Sequence, residues 1–339
     1  MSPPTRPWFR SPLLLAGLVA GLVWGLWLAL LGPRDAMAAV VGEWPVAVTM
    51  IFGSFIAGAS SEGGGAVAFP VFTKALGVAP ADARRFALMI QSVGMTAAAV
   101  TVFALRVRVD FRAIGIASAG GAIGVAVGLL AVAPSVEPAQ VRVVFTALQA
   151  AFAVVLLIAG ARFEGRAARS RLIDWRGVGA LAAAGLLGGV VSGVVGSGLD
   201  LVLFAVLTLL FRVSEKVATP TSVVVMAINS VVAVALYAAT NGPAPANVTA
   251  MWLAAVPVVV VGAPLGAWVC SRLRRETIAR ALVALIAIEV ATTLWLVPPT
   301  PVLVATGIGV FLPCLAACLL MASGQAFDPV RLRSERLAS

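Results

Sequence analysis

Glu62 is followed by three glycines in GASSEGGGAVAFP (58–70), and Asp200 closes GVVGSGLD (193–200), both within apolar stretches. A glycine weakens a helix by about 1 kcal/mol relative to alanine, and a carboxylate in apolar surroundings costs more still. One chemistry uses both. Helix breaks at Ser60, Ser61, Gly63, Gly64 and Gly65, and again at Gly196, Ser197 and Gly198, free backbone N–H groups at the start of a short helix. Such an N-terminus carries about half a positive charge and can bind an anion. An ionised carboxylate beside a bound anion repels it, and burial favours the neutral form. Glu62 and Asp200 are therefore candidates to take up a coupling proton, or to hold another cation. Plainer readings stand beside these: glycines that only allow close helix packing, and carboxylates that cap their own helices.

Other polar residues fall inside apolar runs. Gln91 and Ser92, and Asn229 and Ser230, either line a pathway or hydrogen-bond between helices. Thr219, Thr221 and Ser222 flank Pro220 as weaker candidates. Glu289 is a secondary proton-site candidate, or the partner of a buried hydrogen bond. The chain has no His, so a histidine relay is excluded; Cys270, Cys314 and Cys318 read as small packing residues, with neither a disulfide framework nor a metal site. No cofactor is expected.

The elements that must position these residues are membrane spans. Of the 339 residues 61% are hydrophobic and 11% charged, against about 25% charged in soluble domains. The expected fold class is an all-α polytopic membrane protein. Its apolar segments lie near 13–32, 45–60, 66–78, 86–105, 113–133, 139–161, 177–195, 199–211, 217–240, 248–270, 277–297 and 301–323. The net charge of +10 reflects Arg in alternate short loops, which is the positive-inside signal rather than a nucleic-acid surface. Arg106, Arg108 and Arg112, the stretch 162–176, Lys216, Arg272, Arg274 and the C-terminal tail then face the cytoplasm, as do both termini of a protein of the plasma (inner) membrane. Arg84 and Arg85 are the exceptions. The first apolar run exceeds the roughly 7–15 residues of a signal-peptide core and reads as a retained span. VDFRA (109–113) and IDWRG (173–177) each open a helix on the cytoplasmic side and read as interfacial loop elements.

Segments 66–78 and 199–211 are too short to cross about 30 Å of hydrocarbon as straight helices. They are related. A shift of 138 residues carries Gly58 onto Gly196, Glu62 onto Asp200, Gln91 and Ser92 onto Asn229 and Ser230, Gly124 and Gly128 onto Gly262 and Gly266, and Arg142 onto Arg280. Locally, a shift of 135 aligns GVAPADA with RVSEKVA. Each copy holds an odd number of elements, so the copies enter from opposite sides, as in inverted-repeat transporters. The expected organisation is an N-terminal tail and extra helix (1–43), a first inverted repeat (44–161), a basic loop (162–176), a second inverted repeat (177–297), and a last helix with its tail (298–339).

The strings SSEGGGAVAFPVF, GVAPADARRFALMIQSVGM, VVGSGLDLVLF and RVSEKVATPTSVVV resemble the TauE/SafE sulfite-exporter family of permeases, over roughly 44–297. The second copy departs from the pattern, with GSGLD where the first has three glycines. The resemblance implies a carrier of small anions such as sulfite, sulfonates or other organosulfur and organic acids, driven by protons or another coupling ion. The expected partners are that anion, the coupling ion and membrane lipid, with no nucleic acid and a homodimer left open. A cation or metal transporter with Glu62 and Asp200 as ligands is the alternative. No activated nucleophile is visible, so no enzyme activity is expected.

Overall fold

The computed structural model describes residues 12–61, 64, 68, 71–159 and 175–323. These form twelve α-helices: α1 Pro12–Leu31, α2 Pro33–Gly42, α3 Trp44–Ala59, α4 Pro80–Ala104, α5 Phe111–Val127, α6 Pro138–Ala159, α7 Trp175–Val195, α8 Leu199–Ala205, α9 Glu215–Asn241, α10 Ala246–Arg272, α11 Arg275–Leu296 and α12 Pro301–Ser323. Single π-helical turns follow three of the breaks and bends, at Val71–Ala75, Gly128–Val132 and Val206–Leu210. No strand occurs among the described residues, and nine helices there are long and apolar enough to cross a membrane. The all-α polytopic class read from composition is what the chain adopts.

α4 and α9 run through the middle and pack on each other. α4 also packs on α10, and α9 on α5. Two further pairs are intimate: α3 lies on α10, and α7 lies on α5. Glycine makes both possible. A Cβ on Gly124 of α5 would stand 2.1 Å from the Leu186 carbonyl oxygen of α7, and one on Gly266 of α10 would stand 2.0 Å from that of Phe55 on α3. Such backbone contact is what small residues at helix interfaces permit. α6 packs on α11 and α12.

α1 is attached to α10 through a proline. Pro257 has no N–H, so the Leu253 carbonyl lacks its helical donor. The Trp27 indole donates to that carbonyl at 3.0 Å, and the Trp24 indole donates to the Pro257 carbonyl at 2.9 Å.

Two expectations are corrected. α2 was not foreseen: ten residues carrying Arg34 and Asp35 fall short of a span, yet they form a helix that packs on α10 and meets α3 at 83°. α4 starts at Pro80 rather than at 86, because Arg84 and Arg85 are helical and their charges are spent on the protein. Arg84 donates to the Tyr237 hydroxyl at 3.1 Å and the Val194 carbonyl at 3.3 Å, and Arg85 to the Gly242 carbonyl at 2.6 Å. That accounts for the two arginines that broke the loop-charge pattern. VDFRA opens a helix as read from the sequence, and Asp110 is its buried cap: Oδ1 accepts from the Arg112 and Ala113 amides, each at 3.1 Å, and starts α5.

Candidate anion site at two chain breaks

The second break is compact and well bonded. α7 ends at Val195, and Gly196 and Gly198 take φ of +97° and +120°, a region that side chains disfavour. The chain thereby turns and restarts as α8. The first free amide of α8, that of Leu199, donates to Ser192 Oγ at 2.8 Å. Gln91 of α4 reaches across, donating from Nε2 to the Gly196 carbonyl at 2.6 Å and to its own Ala87 carbonyl at 3.0 Å. Asp200 is fully buried: Oδ1 accepts from the Leu201 amide at 3.1 Å, and Oδ2 has no partner. One carboxylate oxygen thus caps α8 and the other is uncommitted. Leu199–Leu210 spans about 18 Å at 1.5 Å per residue, too little for a crossing.

At the first break α3 closes with Ser60, whose Oγ donates to the Ile56 carbonyl at 2.9 Å. Ser61 is 1% exposed and its Oγ has no partner. Gly64 packs against Gly53 and Ala57 of α3. Glu62, Gly63 and Gly65 lie outside the described residues. A chain of contacts through α4 and α10 runs from the second break to the end of α3. Gln91 bonds to Gly196, while Gly94, one turn on, faces Ala263 of α10, whose carbonyl abuts Gly58.

The other candidates divide. Asn229 donates from Nδ2 to the Val225 carbonyl at 2.9 Å, and its Oδ1, without a hydrogen-bond partner, lies against Gly121 of α5. Ser92 and Ser230 donate back to their own helices, to the Met89 and Ala227 carbonyls. Ser197 is fully buried.

A cavity of about 570 Å³ reaches the end of α3, at Gly58, just before the first break. Buried Gly58, Thr219, Pro220, Ala267 and Cys270 line it, and exposed Arg108 and Lys216 also border it. Thr219 Oγ1 is buried without a partner. None of the described lining residues is acidic, and none of Asp200, Gln91, Asn229 and Ser230 is among them. Thr219, a weak candidate from the sequence, is thus the polar group of the cavity wall, whereas the second break is closed off from this cavity.

Sequence reasoning missed a buried charge cluster around Glu289. Lys74 Nζ lies 3.9 Å from Glu289 Oε1, which also accepts from Thr293 Oγ1 at 3.2 Å and Thr146 Oγ1 at 3.4 Å. The available signal was Lys74 itself, one of only two lysines in the chain, set in an apolar segment.

The family model described as Sulfite exporter TauE/SafE matches residues 46–294. The chain belongs to the TauE/SafE family. The match runs from α3 to α11 and includes both breaks, the cavity and the Glu289 cluster; α1, α2 and α12 lie outside it. As a TauE/SafE protein with nine apolar membrane-length helices among its described residues, it is a multi-pass membrane transporter. No curated protein and no solved structure matches the chain. Among the described residues no group of three or more His, Cys, Asp or Glu could hold a metal ion.

Proposed function

We propose that this TauE/SafE protein is a proton-coupled secondary transporter of small anions, with sulfite, sulfonates and related organic acids as its substrate class. The observation that carries the reading is the cavity. Two cations border it, an unpartnered hydroxyl and Gly58, two residues before the first break, line it, and no described lining residue would repel an anion. Cations lining a low-dielectric cleft concentrate anions and speed their entry. The break then offers backbone donors.

The inverted-repeat reading belongs to the same proposal. The 138-residue shift carries α3, α4, α5 and α6 onto α7, α9, α10 and α11. Under that mapping, α3 on α10 and α7 on α5 are equivalent contacts, and so are α4 on α10 and α9 on α5. The π turns at Val71–Ala75 and Val206–Leu210 correspond at the local shift of 135. Two such halves rocking against each other would open the site alternately to either side. Asp200 carries a buried carboxylate oxygen with no partner, and Glu62 occupies the matching sequence position. Either carboxylate can take the coupling proton.

The test is solute flux and current in proteoliposomes holding purified protein, with sulfite, methanesulfonate and acetate as probes and an imposed pH gradient. Saturable anion flux that the gradient drives supports the reading. Asp200→Asn, or Glu62→Gln, then uncouples flux from pH. Current of the sign expected for a carried cation, independent of all three anions, would instead establish the cation alternative.

A further inference from the structure

The cluster around Glu289 stands apart from the cavity. α10 ends at Arg272 and α11 begins at Arg275, so these termini share one face, and Cys270 and Ser271 line the cavity there. Glu289 lies seven residues before Leu296, roughly 10 Å from the opposite end of α11. The cluster therefore sits in the half of the molecule away from the opening.

Its charges do not balance. Lys74 and Glu289 side chains are 4% and 6% exposed. Arg142, one turn before Thr146 on α6, is close enough for its charge to act on both. Among the described residues two cations, the Lys74 ammonium and the half-buried Arg142 guanidinium, thus face one buried carboxylate, and a net charge beside apolar surroundings is costly. The donors are also under-used. Lys74 donates to Thr293 Oγ1 at 3.1 Å, but Glu289 Oε1 at 3.9 Å is beyond hydrogen-bond range, and Arg142 Nε is buried without an acceptor. An ammonium offers three donors and a guanidinium five. The Thr146 and Thr293 hydroxyls lie 2.9 Å apart and can each turn to donate.

We propose that Lys74, Arg142, Thr146 and Thr293 form a second subsite for the transported oxyanion, in which the Glu289 carboxylate stands in the place of the substrate. The inference rests on the anion reading and deepens it. Substrate oxygens and the Glu289 carboxylate compete for the same donors, so an arriving anion displaces Glu289 or binds once Glu289 is protonated. Among the described residues the charged groups facing Glu289 are Lys74, from the segment after the first break, and Arg142, from α6. The competition couples proton and anion without requiring both at the glycine breaks.

The test measures binding of sulfite and of methanesulfonate to purified full-length protein, with flux KM in proteoliposomes. Lys74→Gln and Arg142→Gln weaken both probes by about tenfold or more, the loss expected for a charge-assisted hydrogen bond. Glu289→Gln tightens binding, since the internal competitor is neutral, and flattens its pH dependence between about pH 5.5 and 8. Where the uncharged variants fold poorly, Arg142→Lys and Thr146→Val keep the ion count and lower affinity severalfold. Cluster variants that bind and transport with wild-type affinity, losing only thermal stability, reduce the cluster to a structural clasp and overturn the subsite alone. A wild-type protein that binds neither probe overturns the anion reading and the subsite together.

Discussion

At the scale of single residues, the second break depends on backbone conformations that glycine alone adopts easily. Gly198 sits at φ +120°, and a Cβ there would lie 2.7 Å from Val191 Cγ1. Gly198→Ala is expected to cost about 1–3 kcal/mol from backbone strain, before any clash. Gly179→Ala, in helical backbone with nothing within 4 Å, is expected to be neutral or stabilising by up to about 1 kcal/mol. Melting temperatures of the two purified variants check the contrast. Asp200 yields a second prediction. Asp200→Asn keeps an acceptor for the Leu201 amide, so its melting temperature holds or rises, whereas Asp200→Ala loses the cap, typically about 1 kcal/mol. The sequence marked both residues because their types are wrong for an apolar helix. It did not reveal Lys74 as the partner of Glu289. The two are far apart in the chain, and no periodicity links a π turn after one break to the far half of α11. A charged residue in an apolar segment announces that a partner exists, and only the fold says which.

At the scale of elements, the two close helix pairs carry the architecture. Gly124 and Gly266 each meet the carbonyl of a facing helix, which cannot move aside as a side chain can. Gly124→Val and Gly266→Val should therefore each cost more than the roughly 1–3 kcal/mol typical of overpacking. Both should strongly reduce the yield of monodisperse protein in detergent, and to a similar degree if the pairs are equivalent. Gly115→Val on α5, with open space around it, is the control and should purify normally. Size-exclusion profiles and thermal melts decide this. Gly120, Gly124 and Gly128, and Gly262 and Gly266, recur every four residues, a spacing that marks one face of one helix for close packing but does not name the partner. Most spans were legible since about 20 apolar residues have little else to do in water or lipid. α2 was not: a ten-residue helix with Arg34 and Asp35 carries no span signal, and its packing on α10 is a tertiary effect. The start of α4 was obscured for a similar reason, as Arg84 and Arg85 look like loop charges until their carbonyl partners are seen.

At the scale of the molecule, the cavity defines a direction. Arg108, Lys216 and Ser271 border it, at the C-terminal ends of α4 and α10 and the start of α9, whereas Asn241 ends α9 on the opposite face. The positive-inside reading predicts that this face is the cytoplasmic one. In a background with Cys270, Cys314 and Cys318 replaced, N241C should react with a membrane-impermeant thiol reagent on intact cells. S271C and R274C should react only after permeabilisation. Labelling of R274C but not N241C on intact cells would reverse the orientation. The same S271C protein then reports on mechanism. If the molecule alternates, saturating sulfite together with an inward proton gradient changes the share of molecules whose cavity is open, and the labelling rate of S271C changes with it. The effect requires substrate to bind the two conformations unequally, since a ligand with equal affinity for both shifts nothing. A fixed pore predicts only direct shielding, which an immobile bound anion would give without any proton gradient. The discriminating comparison is therefore S271C with sulfite at equal and at unequal pH across the membrane. A rate that responds to the gradient only when sulfite is present supports alternating access. A rate indifferent to it means that the cavity seen here is open in every state, and that transport does not proceed by rocking one half of the molecule against the other.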